Sequence, residues 1–316
     1  MVRGATGRAR AALLLGESAR RGNWDPARES ADPGVHCQGM PLPQVVILAA
    51  LTGLAEALPI SGSAHGSVAR LWLPAAASSP LLVAVLLLGV AIGLCVAARR
   101  RLLAVLKAFA HPEHFGTSPD ARDAAVLTVG VGVSLTVSLL LSSRVERWGE
   151  PPVATGLGLL LTGLTLASTT LVGGSAEGGG RRREASLPAT PSLPAAAMVG
   201  LIHGLAVFPG ASRVGAALVL FLWLGVRPGR AVDLAFLLTV PSLLLHVVQG
   251  LGRGGSGAAL DNGTLASALL FAFLAALVAA AFLRRLGERR RIGALALWLV
   301  PLGLALIAYA RALPGA

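Results

Sequence analysis

Residues 204–215 read Gly-Leu-Ala-Val-Phe-Pro-Gly-Ala-Ser-Arg-Val-Gly, so an arginine, a serine and a Pro-Gly pair interrupt an otherwise apolar stretch. An arginine at the centre of a bilayer costs at least about 2.5 kcal/mol, so Arg213 is expected to face a cavity and hold an anion. Pro209 and Gly210 break the helix, and the amides they free are tolerated at membrane depth only around a cavity or a ligand. A kinked span with a snorkelling arginine is the alternative, but Arg213 lies far from the ends of its apolar run.

The composition of the whole chain is that of an integral membrane protein. Apolar residues make up 54% of it and charged residues 13%, and several uncharged runs of roughly 20 residues are long enough to cross a bilayer as helices. The formal charge of +12 falls in short arginine clusters between these runs. This pattern favours cytoplasmic loops facing anionic lipid over a nucleic-acid partner, which we do not expect. Cys37 and Cys95 indicate neither a disulfide framework nor a metal site.

The chain is predicted to contain one membrane domain, residues 40–316, after a disordered tail, residues 1–39. If Met40 is the true initiator, the tail is an extension of the gene model. The domain divides into two halves and a linker: 40–173, 194–316 and the Gly- and Arg-rich 174–193.

Each half is predicted to begin with two short helices that meet at a polar break. The apolar pieces from Gln44 to Leu58 and on to Leu73 are too short to span, so they indicate a re-entrant hairpin. A second hairpin is predicted at about 195–225. Three spans follow each hairpin, at about 80–98, 124–142, 153–173, 231–251, 265–283 and 292–312.

Arginine and lysine clusters give the orientation of these spans. Four clusters are assigned to the cytoplasm: Arg99 to Lys107, Arg181 to Arg183, Arg227 with Arg230, and Arg284 to Arg291. Arg144, Arg147 and Arg253 are then outside, and the two halves have opposite orientations. The predicted fold is an all-α polytopic membrane protein with six transmembrane helices and two re-entrant hairpins in an inverted-topology repeat. A short sequence repeat supports it: Gly53-Leu54-Ala55 matches Gly204-Leu205-Ala206, and a serine follows each glycine by eight residues.

A set of polar residues around the two breaks carries the candidate chemistry. Glu56 lies in an apolar run three residues before Pro59, so it suits acid–base work or cation binding. His65, across the break, can donate a proton to a leaving oxygen near neutral pH. Hydroxyl and amide groups flank both breaks, at Ser61, Ser63, Gly210 and Ser212. With Arg213 these groups make a fixed cation, donors and an acid in a water-poor pocket, which is what phosphoryl transfer requires.

Other polar residues in the spans are interpreted as structural. A hydroxyl in a span usually bonds back to its own helix, and a lone histidine usually serves helix packing. These rules cover Thr162, Thr165, Ser168 and His246. Asp233 opens a helix and is favoured there by the helix dipole.

Three segments resemble a known family. Residues 53–65, Gly-Leu-Ala-Glu-Ala-Leu-Pro-Ile-Ser-Gly-Ser-Ala-His, resemble the first signature of the undecaprenyl-diphosphatase, or bacitracin-resistance, family. Residues 209–215 resemble its second signature, and 236–241 its Phe-Leu-Leu-x-x-Pro helix. The likeness covers roughly residues 42–312, and the family's architecture is similar to the one expected here from charge and hydropathy.

The resemblance implies hydrolysis of a C55 polyprenyl diphosphate to the monophosphate at the outer face of the bacterial inner membrane. This reaction recycles the lipid carrier of wall synthesis and confers bacitracin resistance. A divalent cation is implied, Mg²⁺ or alternatively Ca²⁺, and assembly as a homo-oligomer stays open. By position, Glu56 is implied as the essential acid and metal partner, His65 as the motif histidine, and Ser212 and Arg213 as phosphate binders.

The chain departs from the family pattern at four positions. Gly62 stands where the family has a second serine, the one commonly assigned as nucleophile. The others are Thr52, His203 and Val214, which replace an acidic or amide residue, a glutamine and a serine. Ser61, Ser63 or an activated water remain as candidate nucleophiles.

Two functions from other classes stay open on the sequence alone. A non-catalytic carrier or flippase could bind polyprenyl phosphate in the same Arg213 pocket, and Gly62 favours that reading. A small-anion transporter would need no carboxylate beside the arginine. Retention of Glu56, His65 and Arg213 favours the enzyme.

Overall fold

The structure, a computed structural model, describes residues 41–72, 79–110, 118–148, 151–173, 191–252 and 260–312. Within these ranges the regular elements are helical: α1 (Leu42–Ala57), α2 (Gly62–Trp72), α3 (Pro80–Ala97), α4 (Arg99–Ala110), α5 (Pro119–Trp148), α6 (Pro152–Gly173), α7 (Leu193–Leu205), α8 (Arg213–Trp223), α9 (Pro228–Gly252), α10 (Asn262–Glu288) and α11 (Ala296–Ala312). A short 3₁₀ helix, Ile292–Leu295, leads into α11. The predicted tail, 1–39, and most of the predicted linker lie outside the described residues.

Six of these helices are long and apolar enough to cross a membrane, and they match the six predicted spans: α3, α5, α6, α9, α10, and α11 with its 3₁₀ helix. Proline occupies the first position of α3, α5, α6 and α9, where it has no helical N–H to lose and its fixed φ suits the helix. Asp261 caps α10 by accepting the N–H of Thr264 at 2.9 Å, which satisfies one orphan donor. The predicted class, an all-α polytopic membrane protein, is confirmed.

The two short helix pairs form around the predicted backbone breaks. Residues 58–61 separate α1 from α2, and residues 206–212 separate α7 from α8. Each break holds a residue with left-handed backbone, Ser61 at φ 71° and Gly210 at φ 80°. Gly210 adopts this conformation without steric penalty. Ser61 is a non-glycine residue in an uncommon region, of the kind that concentrates at functional sites.

Equivalent spans of the two halves run antiparallel. Gly156 of α6 lies against Gly303 of α11, and Gly163 lies against Val300, so the chain directions are opposite. In the pair formed by the first spans, Gly250 near the end of α9 lies against the first turn of α3. Opposite directions of equivalent helices are what an inverted-topology repeat requires.

The matched Gly-Leu-Ala tripeptides have the same structural role in both halves. α1 packs on α10, and α7 packs on α5, so the first hairpin helix of each half contacts the second span of the other half. A Cβ at Gly53 would lie 2.5 Å from the carbonyl oxygen of Ala272, and one at Gly204 would lie 2.8 Å from that of Ser134. Small residues permit this close backbone approach in membranes. The repeat in the sequence therefore marks, for each half, the glycine at which its first hairpin helix closely crosses a span of the other half.

Candidate active site

A cavity of about 530 Å³ lies where the two helix breaks meet, at one end of the helix bundle. Its walls come from α1, α2, the start of α3, the ends of α5 and α9, and the break before α8. The polar residues around it are Thr52, Glu56, Ser63, Ser142, Glu146, Ser212, Arg213, His246 and Gln249. Both halves of the repeat therefore contribute to one chamber.

Arg213 and Glu56 form an ion pair inside this cavity. Nη2 of Arg213 lies 3.3 Å from Oε2 and 3.5 Å from Oε1 of Glu56. The two side chains are only 15% and 11% exposed, so water screens the pair weakly. Removing either partner leaves the other charge buried and uncompensated, which typically costs about 3–5 kcal/mol. The two residues that the sequence singled out thus share one chamber, as a phosphate site built on them requires.

His246, interpreted from the sequence as a packing residue, lies beside the Arg213 guanidinium. Its Nδ1 is 3.2 Å from Nη1 of Arg213 and 2.6 Å from the carbonyl oxygen of Ser242. Arginine only donates, so Nδ1 cannot at once accept from Arg213 and donate to the carbonyl. If an anion binds the Arg213 guanidinium, Nδ1–H of His246 can donate to the carbonyl oxygen of Ser242. The lone pair of the ring then lies on Nε2. The sequence signal for this residue was weak, because His246 lies outside the motifs.

Hydroxyl groups already hold the amides freed at the second break. The N–H of Gly210 donates to Oγ of Ser63 at 3.3 Å, which ties the two hairpins together. The N–H of Ser212 donates to Oγ1 of Thr162 at 3.2 Å, and Thr162 donates to the carbonyl of Gly210 at 3.4 Å. The expectation that Thr162 bonds back to its own helix is therefore wrong. The other two hydroxyls given that interpretation, Thr165 and Ser168, do bond back to carbonyls three residues earlier.

Ser212 caps α8, the helix that begins with the arginine. Its Oγ accepts the N–H of Gly215 at 3.1 Å. Within the described residues, the N–H groups of Arg213 and Val214 have no protein acceptor. First-turn amides and the positive end of a helix dipole favour an anion. The Arg213 guanidinium and the start of α8 thus both favour binding of an anion.

His65 and Ser61, both predicted as catalytic, are buried and do not line the cavity. Nδ1 of His65 donates to the carbonyl oxygen of Ser61 at 2.9 Å, so Nε2 accepts the indole N–H of Trp298 at 3.1 Å. A ring bonded at both nitrogens offers no vacant position to a substrate proton. Oγ of Ser61 lies 3.2 Å from Oγ of Ser63 and approaches the chamber through that neighbour. Of the predicted site residues, the cavity wall contains Glu56, Ser63, Ser212 and Arg213.

The absence of a side chain at Gly62 sets the position of Glu56. A Cβ built on Gly62 would overlap the Glu56 carboxylate. The carboxylate is the far end of a flexible side chain, so it could move aside, but it would then leave its place beside Arg213. The glycine that replaces the family's serine therefore permits the observed ion pair.

The cavity suits a cation shared with a substrate better than one held by protein alone. No group of three His, Cys, Asp or Glu side chains that could hold a metal occurs among the described residues. The cavity does carry the carboxylates of Glu56 and Glu146 and the hydroxyl of Thr52. Mg²⁺ commonly binds through one or two carboxylates, waters and substrate phosphates. The donor set fits that pattern.

His203, which replaces the family's glutamine, joins the two halves in the core. It is fully buried, with Nδ1 2.7 Å from Oγ of Ser134 on α5 and Nε2 3.2 Å from Oγ1 of Thr239 on α9. Bonds at both nitrogens satisfy the buried ring. This departure from the family pattern has a structural role beneath the site.

Comparisons with known proteins agree with the motif resemblance. A family model described as bacitracin resistance protein BacA matches residues 45–305. An undecaprenyl-diphosphatase of Korarchaeum cryptofilum (strain OPF8) is 29% identical over 85% of this chain and 99% of its own length. Proteins with the same name from Treponema denticola and Chromohalobacter salexigens are 24% and 30% identical, over 84% and 73% of this chain and 96% and 85% of their own lengths. The family match includes both helix breaks and every residue around the cavity.

Proposed function

The chain belongs to the bacitracin resistance protein BacA family, and from this premise we infer that it hydrolyses undecaprenyl diphosphate to undecaprenyl phosphate and inorganic phosphate. The observation that carries the proposal is the Arg213–Glu56 pair in a chamber formed by the two family motifs. A diphosphate needs a fixed cation, and hydrolysis needs a group that accepts a proton from water. Both are present in one chamber, on side chains that are largely buried.

The chamber is assigned to the outer face of a bacterial plasma membrane. It lies at the end of the bundle that contains the start of α3 and the ends of α5 and α9. The arginine clusters after α3 and at the start of α9 lie at the other ends of these helices, and such clusters mark the cytoplasmic side. Arginine distribution thus supports an outward-facing site that receives lipid diphosphate from the outer leaflet.

In the proposed reaction, the substrate's terminal phosphate displaces Glu56 from the Arg213 guanidinium. The oxygen of water bonds to the terminal phosphorus, and the bond from that phosphorus to the bridging oxygen breaks. The bridging oxygen leaves with the lipid monophosphate, and a proton of the attacking water passes to the freed carboxylate of Glu56. Arg213 and the first-turn amides of α8 stabilise the charge on the transferred phosphoryl group.

A divalent cation, Mg²⁺ or alternatively Ca²⁺, is part of the proposal. Glu56, Glu146 and Thr52 supply oxygen donors at the chamber wall. When bound there, the ion would neutralise part of the diphosphate charge.

The function is tested by phosphate release from undecaprenyl diphosphate by the purified full chain. We expect release in Mg²⁺, and a loss of most activity when EDTA removes divalent ions. Lipid monophosphate and inorganic phosphate should form in equal amounts. Binding of the diphosphate without release under either condition contradicts the enzyme and supports a carrier.

His246→Ala is expected to lower kcat by about tenfold, because the guanidinium loses a partner that holds its orientation and a misplaced catalytic group is slow. His246→Gln keeps an acceptor for Arg213 and should retain more activity. Gln249→Ala is the matched control, since Gln249 lines the same chamber one turn further along α9. Equal kcat values for the alanine variants at 246 and 249 would refute a role for the histidine.

Gly62→Ala and Gly62→Ser are both expected to lower kcat/KM by about tenfold, because any Cβ at this position overlaps the Glu56 carboxylate and misplaces the proposed base. The pair separates the methylene group from the hydroxyl. A serine variant faster than the wild type would show that the hydroxyl matters more than the position of Glu56. The measurement is steady-state phosphate release by each variant.

A further inference from the structure

A second cavity, of about 720 Å³, lies at the opposite end of the bundle. It is lined by the end of α3, the start of α4, and parts of α9 and α10. Its charged residues are Arg99, Arg100, Arg101, Asp233 and Arg284, and its apolar wall includes Val96, Leu277 and Ala281. By the arginine distribution, this is the predicted cytoplasmic end. The phosphatase proposal does not use it.

Two of its four arginines have carboxylate partners. Arg284 lies 2.5 Å from Oδ1 of Asp233, and Arg101 lies 2.9 Å from Oδ2 of Asp123. The expectation that Asp233 opens a helix is wrong, because α9 begins at Pro228 and Asp233 lies in its second turn, where the ion pair with Arg284 compensates the charge. Asp123 also contacts Arg230 at 2.5 Å. These carboxylates are already engaged by the arginines of the bundle.

Arg99 and Arg100 carry the charge that remains. No carboxylate of the described residues lies within ion-pair distance of either side chain. Arg99 donates to the carbonyl of Val96 at 3.4 Å, and Arg284 donates to that of Ala97 at 2.6 Å. Carbonyl acceptors are neutral, so the charge is not cancelled. The two adjacent guanidinium groups lie in the first turn of α4, at the positive end of its dipole, where positive charge is unfavourable. An anion beside them would relieve this repulsion.

Helix α4 has the pattern of a helix at a membrane surface. Leu103, Leu106 and Phe109, spaced three residues apart on one face, are 56%, 53% and 48% exposed. Basic residues lie at its start and at Lys107. An exposed apolar stripe with basic flanks is typical of helices that lie in the interface of an anionic leaflet. The mouth of the cavity is therefore at headgroup level.

We propose that this cavity binds the phosphate-bearing headgroup of an anionic phospholipid from the cytoplasmic leaflet. Arg99 and Arg100 contact the phosphate, and the apolar wall receives the first methylene groups of the acyl chains. Basic pockets between transmembrane helices on the cytoplasmic side are a known form of lipid recognition. The site is independent of the diphosphatase chamber.

The test is native mass spectrometry of the purified full chain with dioleoyl phosphatidylglycerol, and with dioleoyl phosphatidylcholine as the neutral probe. We expect phosphatidylglycerol to be retained and phosphatidylcholine lost. The double variant Arg99→Gln/Arg100→Gln should bind phosphatidylglycerol roughly 30-fold more weakly, given the usual contribution of a basic residue near anionic lipid. Arg99→Lys/Arg100→Lys keeps the charge and should retain most of the affinity.

The matched control is Arg289→Gln/Arg291→Gln, which removes the same charge from exposed positions at the same end of the molecule. It should bind phosphatidylglycerol like the wild type. Equal weakening in both glutamine pairs would mean general surface electrostatics and overturn the site. Free sn-glycerol 1-phosphate should not displace the lipid, and displacement at comparable concentration would assign the cavity to a soluble phosphate instead. Gel-filtration profiles of all variants identify any that fail to fold.

Discussion

Arg213→Ala is expected to lower kcat/KM for phosphate release by about 10³-fold, the usual effect of removing a cation that stabilises a transferred phosphoryl group. Arg213 contacts Glu56 and His246 and begins α8, so no other side chain of the described chamber replaces it. Steady-state kinetics with undecaprenyl diphosphate measure the loss. Arg213→Lys keeps the charge but loses the planar guanidinium, so its activity should lie between that of the wild type and that of Arg213→Ala.

The control for this variant is Arg147→Ala, which removes an exposed arginine at the same end of the bundle. It should leave kcat/KM close to the wild-type value. Arg213→Ala also leaves the Glu56 carboxylate half-buried without its cation, which destabilises the fold. Thermal unfolding of Arg213→Ala is therefore measured beside its kinetics, and a variant that is folded at the assay temperature but inactive assigns the loss to catalysis. More than a tenth of wild-type activity in Arg213→Ala would contradict the role proposed for the arginine.

Glu56→Gln is expected to lower kcat by about 10²-fold, because the amide has nearly the same shape but cannot take a proton from water. The remaining activity should depend less on Mg²⁺, since a proposed ligand of the ion is lost. The measurement is phosphate release across a Mg²⁺ titration. Because Glu56 and Arg213 contact each other, the effects of their single substitutions should not add.

Glu146→Gln is the comparison for this second prediction, because Glu146 is the other carboxylate at the chamber wall. It should reduce activity less than Glu56→Gln. An unchanged kcat for Glu56→Gln, with Glu146→Gln inactive, would transfer the role of base to Glu146. Both variants should bind the diphosphate, so substrate retention separates lost chemistry from lost folding.

The helices and their order could be predicted because the requirements for crossing a membrane apply to one continuous stretch of sequence at a time. A stretch that crosses lipid must be apolar for about 20 residues and satisfy its own amides, and the sequence of such a stretch shows this directly. The helix starts were less exact: α3, α5, α6 and α9 begin at Pro80, Pro119, Pro152 and Pro228, and the predicted spans began up to about five residues later. The two breaks, the inverted halves and the prominence of Glu56 and Arg213 followed from the same reasoning.

The contacts of the motif histidine, His65, could not be predicted in this way. His65 is placed by its motif beside the chemistry, but its orientation depends on Trp298, which is 233 residues away in the sequence. His246 and Thr162 were set aside because a hydroxyl or imidazole in a span usually serves its own helix. Thr162 instead bonds to the second break, and His246 contacts Arg213 at the start of α8 in addition to the carbonyl oxygen of Ser242 in its own helix. Local rules cannot predict partners that only the folded chain brings into reach.

The sequence by itself determined the number of spans, their opposite orientations, and the presence of an arginine and a carboxylate where lipid makes both costly. These follow from transfer of single segments into a bilayer, which depends on local composition. Only the tertiary structure decided which groups line the chamber. Hydrogen bonds and ion pairs act over about 3 Å, so packing decided that Gly62 makes room for Glu56, that Ser63 holds Gly210, and that His246 rather than His65 contacts Arg213.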